Sequence, residues 1–293
     1  MSGIFRKKRT WLIIVLLIII TPVVAFKIMQ ASFEMSPEEM KDYFKDKPQK
    51  PRYVTYRALD HDMFYAATGS DTNQLVLFVH GAPGSWDAYI KYLGDTALMN
   101  RAQLVSVDRP GYGNSGYGNS VTSIEAQAAM IRPIIDSNKS GKPAILVGHS
   151  LGGPVIARLA MDYPDKIGGL IFLAPAIDPE NEKIYKISYP ANWKVFRWMV
   201  PTVWKVTNDE KLSHVAELIR MVPLWSNITV PCTYIYGEKD MIVPPVNVEF
   251  AKKMLVNAPL HVIDLPKENH FIPWTRQDTV TKVILQYLDA KRE

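Results

Sequence analysis

The chain has 293 residues, of which 47% are hydrophobic and 22% charged, a composition that is typical of a globular protein and excludes a disordered one. The formal net charge is +5, but residues 1–29 hold five bases and no acid, so the rest of the chain balances 29 bases against 29 acids. This balance argues against nucleic acid as a partner. The single cysteine, Cys232, excludes an intramolecular disulfide and a cysteine-based metal site.

The first predicted element is an apolar helix near the N-terminus. A basic run at residues 6–9 precedes an apolar stretch over 11–29, in which Lys27 is the one charged residue. A helix of about 20 such residues crosses a bilayer, and a leading basic run stays in the cytoplasm. We therefore predict a signal anchor over 1–29, bound to the membrane through residues 11–29, with the remaining chain on the non-cytoplasmic side. The alternative is a signal peptide whose cleavage releases a secreted protein.

The folded part is expected to start near residue 52, after a connector over 30–51. From there, short apolar runs alternate with helix-length segments. The runs are continuously apolar, which indicates strands buried on both faces, as in a parallel sheet. We predict a doubly wound, mostly parallel α/β sheet with an antiparallel pair over 52–68. Its strands are predicted at 75–79, 104–107, 144–147, 170–173, 233–236 and 261–264, and its helices at about 86–99, 122–137, 151–162 and 276–290.

One interval interrupts this alternation. Residues 176–225 are too many for a structureless loop and are rich in aromatic residues. We predict a helical cap over 176–225, inserted into an α/β core formed by residues 52–175 and 226–293. Its aromatic side chains either fill the cap's own small core or line a cavity for substrate. The candidates for substrate contact are Trp193, Trp198 and Trp204.

A candidate nucleophile lies in the sequence Gly-His-Ser-Leu-Gly at residues 148–152, between a predicted strand and a predicted helix. A sharp strand-to-helix turn projects the serine hydroxyl, and glycines two residues on either side avoid a collision. The N-terminus of the following helix favours a developing negative charge. Ser150 is therefore the predicted nucleophile.

A serine hydroxyl needs a base to accept its proton, and the base needs a carboxylate partner. His270 lies in a loop after the last predicted strand, at the carboxyl edge of the sheet. Asp240 follows the preceding strand, so the order serine, aspartate, histidine is that of nucleophile-elbow hydrolases. Asp178 and Glu238 are alternative acids.

The tetrahedral intermediate needs two donors for its oxyanion. One is expected to be the backbone N–H of Leu151, which follows the nucleophile. The other is expected from the loop His-Gly-Ala-Pro-Gly at residues 80–84. We choose the N–H of Ala82, because Pro83 has none.

Four segments together resemble the α/β-hydrolase superfamily, over about residues 52–293. They are 80–84, the Asp-Arg-Pro-Gly-Tyr-Gly-Asn-Ser turn at 108–115, the 148–152 elbow, and 237–240 together with 269–270. The turn at 108–115 resembles a structural element, and we assign it no catalytic role. The likeness is closest to capped esterases, aminopeptidases and epoxide hydrolases. Dehalogenases and epoxide hydrolases have an aspartate where this chain has Ser150.

The resemblance implies an acyl-enzyme on Ser150 and a mechanism without cofactor or metal. The expected function is hydrolysis of a small-molecule carboxylic ester. Acyl transfer and aminopeptidase-like amide hydrolysis on the same triad are alternatives. The second would need acids to hold an α-amine, for which Glu180 and Glu182 are candidates. A further alternative is a non-catalytic binding protein on the hydrolase scaffold.

Overall fold

The computed structural model describes residues 35–290, together with residues 10, 11, 20, 21 and 24. Apart from five residues, the predicted anchor over 1–29 lies outside the described part. No helix within the described part has the length and apolar character needed to span a membrane. The connector contains helix α1 (Pro37–Tyr43), which begins with a capping box between Ser36 and Glu39.

In the described part of the chain, eight strands form one sheet in the order β1-β2-β4-β3-β5-β6-β7-β8. The pairs β1–β2 and β2–β4 are antiparallel, and the other neighbours are parallel. This confirms the predicted mostly parallel sheet and the antiparallel pair at its start. The strands are β1 (Arg52–Ala58), β2 (His61–Thr68), β3 (Gln74–Val79), β4 (Ala102–Asp108), β5 (Ala144–His149), β6 (Ile167–Leu173), β7 (Cys232–Gly237) and β8 (Leu260–Leu265).

Helices cover both faces of the sheet, so every residue of β3, β4, β5 and β6 is buried. These helices are α2 (Ile90–Leu93), α4 (Ile124–Asp136), α5 (Gly152–Asp162), α9 (Asn247–Met254) and α11 (Gln277–Asp289), and two short helices are α3 (Thr96–Met99) and α10 (Ile272–Thr275). One apolar layer packs against α4, α5 and α9, and the other against α2 and α11.

The predicted helix over 86–99 is wrong as one continuous element. The structure divides it into a 3₁₀ turn at Trp86–Tyr89, then α2 and α3. Gly94 ends α2, and the Asp95 carboxylate then accepts hydrogen bonds from two N–H groups at the start of α3. A glycine followed by an N-capping aspartate favours a new helix start over continuation of the old one.

The interval between β6 and β7, residues 174–231, is called the β6–β7 segment below. It contains α6 (Ser188–Ala191), α7 (Lys194–Arg197), α8 (Thr202–Met221) and a 3₁₀ turn at Val222–Asn227. Val203 and Val206 of α8 pack against Tyr112, in the turn that follows β4. The long helix α8 therefore connects this segment to the sheet.

Candidate active site

Ser150 lies at the turn between β5 and α5, with a positive φ of 52° that side chains rarely adopt. The flanking glycines leave room for this turn. A Cβ on Gly148 would lie 2.7 Å from the Gly152 carbonyl oxygen, and one on Gly152 would lie 2.3 Å from that of Val79. Side chains at either position would therefore push the elbow apart, as the sequence pattern predicts.

His270 and Asp240 form a buried pair at the ends of neighbouring strands. The imidazole Nδ1 lies 2.6 Å from Asp240 Oδ2, and the two side chains are 6% and 2% exposed. The other carboxylate oxygen, Oδ1, accepts hydrogen bonds of 2.8 Å from the N–H groups of Ile242 and Val243. Because both oxygens are occupied, the carboxylate is fixed in orientation towards the imidazole.

The loop that carries His270 packs closely against β7. A Cβ on Gly237 would lie 2.4 Å from the Glu268 carbonyl oxygen, so glycine is required for this approach. Asp240 follows Gly237 by three residues, and the acid and the histidine loop are therefore brought together by the same close contact.

The two alternative acids have other partners. Both carboxylate oxygens of Asp178 accept local hydrogen bonds, from Glu180 N at 2.9 Å and Asn181 Nδ2 at 2.7 Å. A hydrogen bond with Asp264 raises the pKa of the exposed Glu238. In the described part of the chain neither contacts His270, so the geometry favours Asp240.

His149 contacts His270 through a hydrogen bond and its ring, a role that the sequence did not suggest. Its Nε2 donates to the His270 carbonyl oxygen at 2.9 Å, and the ring centroids are 4.6 Å apart. Burial, followed by the neighbouring His270, holds the pKa of His149 well below its ordinary value. His149 is therefore neutral near pH 7 and adds no competing charge beside His270.

The predicted oxyanion loop lies directly against Ser150. A Cβ on Gly81 would lie 2.9 Å from the Ser150 Cβ. Ala82 and Leu151 line the same cavity as Ser150 and His270. Within residues 35–290, no hydrogen bond uses the N–H of Ala82 or Leu151. Both donors therefore remain available to an oxygen of a bound ligand.

His80 holds this loop in place through both ring nitrogens. Its Nδ1 lies 2.6 Å from the Gly81 carbonyl oxygen, and its Nε2 accepts the Arg109 N–H at 2.9 Å. Burial lowers the pKa of His80 well below its ordinary value. The neutral ring with a proton on Nδ1 satisfies both contacts.

Arg109 joins the oxyanion loop to the β6–β7 segment, a connection that sequence reasoning missed. Its guanidinium donates to both carboxylate oxygens of Glu210 on α8, at 2.8 and 3.0 Å, and to the Gly81 carbonyl oxygen at 3.2 Å. Tyr112 and Gln127 also donate to Glu210, at 2.7 and 2.8 Å. A buried polar network thus connects the turn after β4, α4, α8 and the loop next to Ser150.

The chain matches the model of a known protein family. Residues 74–230, more than half of the chain, match the family model for the alpha/beta hydrolase fold. This chain belongs to the α/β-hydrolase family.

Its curated relatives include hydrolases. This α/β-hydrolase is 33% identical to epoxide hydrolase 1 of Caenorhabditis elegans, over 41% of this chain and 29% of that protein. It is 35% identical to pyrethroid hydrolase of Sphingobium wenxiniae, over 36% of this chain and 39% of that protein. The chain therefore spans less than half the length of both relatives.

Solved structures show the same fold. A carboxylesterase from Bacillus subtilis superimposes with a TM-score of 0.63 at 14% identity, covering 87% of this chain and 97% of that chain. At an identity this low, the superposition shows that the fold is shared and carries no information about the substrate.

The cavity beside Ser150 in this α/β-hydrolase has a volume of about 750 Å³. Its wall opposite the strand ends comes from the β6–β7 segment, and most of these side chains are apolar. They include Tyr185, Ile187, Pro190, Phe196, Met199, Val200 and Trp204. Among the residues that the structure describes, no group of three or more His, Cys, Asp or Glu side chains could hold a metal ion.

The expectation for three tryptophans needs correction at two positions. Trp204 lines the cavity, but Trp193 and Trp198 do not, and they are 58% and 66% exposed. Phe196 and Met199, three residues apart, face the cavity, which directs Trp198 to the opposite side. Trp193 precedes α7 in an extended conformation. Helical phase, set by where these short helices begin, was not readable from composition.

Proposed function

We propose that this chain is a serine hydrolase that cleaves carboxylic esters of small apolar molecules. The observation that carries the proposal is the buried His270–Asp240 pair, whose histidine lines the same cavity as Ser150 on its strained elbow. Neighbouring groups in the same cavity supply the two free backbone donors that ester hydrolysis requires.

The proposed reaction begins with attack of Ser150 Oγ on the ester carbonyl carbon, while His270 Nε2 accepts the hydroxyl proton. Asp240 stabilises the resulting imidazolium through Nδ1. The N–H groups of Ala82 and Leu151 bind the oxyanion. Collapse of this intermediate breaks the bond to the alcohol, which leaves with the proton from His270, and an acyl-Ser150 ester remains.

A water molecule then attacks the acyl-enzyme. His270 accepts a proton from that water, and a second tetrahedral intermediate forms in the same pair of donors. When it collapses, Ser150 regains its proton from His270 and the carboxylic acid is released. If another alcohol replaces water at this step, the same groups perform acyl transfer.

The wall of the cavity favours an apolar acyl or alcohol group over a peptide N-terminus. An aminopeptidase needs an acid to hold the substrate's α-amine. Glu182 is instead ion-paired with Lys211, and both side chains are largely buried. The Lys211 ammonium thereby occupies the position that an α-amine would need.

We also interpret the β6–β7 segment as a cap that determines substrate choice, because it supplies most of the apolar wall. The N-terminal anchor over 1–29 and a non-cytoplasmic location of the enzyme remain predictions from the sequence.

Labelling by a fluorophosphonate probe tests the proposal. We expect the full chain to react, and Ser150→Ala to lose both labelling and about 10⁴-fold or more of its activity on nitrophenyl esters. Ser137→Ala is the matched control, since its hydroxyl bonds to the Ile134 carbonyl at the end of α4. Labelling that persists in Ser150→Ala would contradict the assignment. An added alcohol that captures most of the acyl group would favour acyl transfer.

A further inference from the structure

An unusual concentration of exposed apolar side chains lies at the edge of the cavity. Large hydrophobic residues usually occur singly on a surface, whereas larger apolar patches mark interaction sites. Here seven of them fall within residues 185–198, each at least 44% exposed. They are Tyr185, Ile187, Tyr189, Trp193, Val195, Phe196 and Trp198.

The same stretch is strongly basic. Residues 183–205 hold five bases and no acid. One of them, Arg197, is paired with Asp209 at 2.7 Å, which leaves four lysines. Apart from these four, residues 30–293 hold 25 bases and 29 acids, so the positive charge is local. The exposed side chains of residues 183–205 are called the 183–205 surface below.

Two of the lysines are free to meet an external charge. Lys186 and Lys194 are exposed, and within the described residues neither forms an ion pair. Lys183 contacts the Met241 carbonyl oxygen. A surface that combines exposed tryptophan, tyrosine and lysine matches the interfacial region of an anionic bilayer, where ring and headgroup contacts coexist.

The 183–205 surface is continuous with the cavity. Tyr185, Ile187 and Phe196 are exposed and also line the cavity beside Ser150. An apolar chain that leaves a bilayer at this surface would therefore remain in contact with apolar side chains until it reached the nucleophile.

We propose that the 183–205 surface docks onto anionic lipid membranes and admits the acyl chain of a membrane lipid to the cavity. This inference rests on the proposed ester hydrolysis and narrows its substrate class to lipid esters. The exposed Trp193 and Trp198 then act as interfacial anchors, which accounts for their absence from the cavity wall.

Quenching of tryptophan fluorescence by brominated lipid tests the docking directly. The full chain is incubated with vesicles of equal parts phosphatidylglycerol and dibrominated phosphatidylcholine. Part of the quenching in the parent comes from Trp11, in the predicted anchor. We expect Trp193→Phe/Trp198→Phe to remove most of the remaining quenching. We expect the same loss in the parent when phosphatidylcholine replaces phosphatidylglycerol. Equal quenching in the parent and the double variant would overturn the proposal, because these rings would then not contact lipid.

Charge variants give a second, independent measurement. Removing two lysines that lie near an anionic membrane lowers the affinity of a protein for that membrane by about 10- to 30-fold. We expect Lys186→Gln/Lys194→Gln to lose about that much activity on an ester embedded in the anionic vesicles. Lys253→Gln/Lys267→Gln, which removes two exposed lysines elsewhere, is the matched control. Equal losses in the two variants would overturn the proposal.

A soluble, short-chain nitrophenyl ester separates this inference from the function on which it rests. Turnover of that ester should stay within about two-fold of the parent in both lysine variants, since neither pair lines the cavity. If the parent hydrolyses the soluble ester through Ser150 but the vesicle results fail, the docking proposal alone is wrong. If Ser150-dependent turnover is absent altogether, the proposed function is wrong.

Discussion

The two walls of the cavity differ in how they are held. The wall at the strand ends carries Ser150, Asp240 and His270, and neighbouring backbone fixes each of them through a strained turn, paired N–H donors or a glycine contact. The wall from the β6–β7 segment comes from the long helix α8 and from short helices that carry exposed aromatic side chains. Reacting groups must be placed within fractions of an ångström, whereas an apolar surface binds through area and tolerates variation. Under the proposed function, the sheet therefore holds the reacting groups and the insertion determines substrate choice.

A buried ion pair connects the two walls. Arg109 follows β4 and Glu210 lies on α8, and their side chains are 1% and 4% exposed. Because Arg109 also contacts the Gly81 carbonyl oxygen, a change at Glu210 reaches the loop beside Ser150.

The largest expected effect is at the strand-end wall. Asp240→Asn keeps the shape of the side chain but removes the carboxylate that orients and stabilises the imidazolium of His270. We expect kcat on a soluble ester to fall by about 10⁴-fold with little change in Tm. Glu238→Gln, two residues away, is the control and should stay within a few-fold. A small loss in Asp240→Asn would show that this wall does not hold the reacting groups as proposed.

The free energy of unfolding tests whether the Arg109–Glu210 pair connects the two walls. Glu210→Ala leaves the buried guanidinium of Arg109 without its partner, and we expect the free energy of unfolding to fall by about 3–5 kcal/mol. Urea denaturation measures it. Glu249→Ala removes an acid from an exposed pair with Lys252 and should change stability far less, because water solvates both charges. If the two variants lose equal stability, the Arg109–Glu210 pair does not join the walls.

A more gradual effect, spread over several pH units, is expected from Asp108, a buried carboxyl group without a cationic partner in the described part of the chain. Burial raises the pKa of Asp108 from 3.8 to about 7, although N–H groups of Asn114 and Trp86 oppose the shift. Above pH 3.8 the Asp108 carboxyl group loses its proton in the unfolded chain but keeps it in the folded protein. The contribution of Asp108 to the free energy of unfolding therefore declines as pH rises to about 7.

We expect the free energy of unfolding of the parent to decrease relative to that of Asp108→Asn across this window. The difference should change by at most about 1.4 kcal/mol per pH unit. Denaturant titrations at several pH values from 4 to 7 measure this slope. A difference that does not change with pH would mean that Asp108 is already ionised throughout, held so by its two backbone donors.

Much of the strand-end wall was predictable because its signals are local. Continuously apolar runs indicated buried strands, and the glycines around Ser150 indicated a turn that permits no Cβ at residues 148 and 152. Asp240 and His270 followed from their positions after neighbouring strands, since parallel strands bring their carboxyl ends to one edge. That the alternative acids Glu238 and Asp178 have other hydrogen-bond partners could not be read from the sequence.

The other wall depended on tertiary structure. Which tryptophan reaches the cavity is decided by where each helix begins and by which of its sides packs on its neighbours. The sequence does not distinguish Trp193, Trp198 and Trp204 in this respect.

The sequence by itself determined the order of strands and helices and the chemistry at their ends, because periodic burial and steric turn requirements operate over a few residues. Tertiary structure alone decided that Arg109 meets Glu210, 101 residues away, and that His149 supports His270. Such contacts form only when distant segments close around one core, because burial makes an unpaired charge or donor costly wherever its partner lies in the chain.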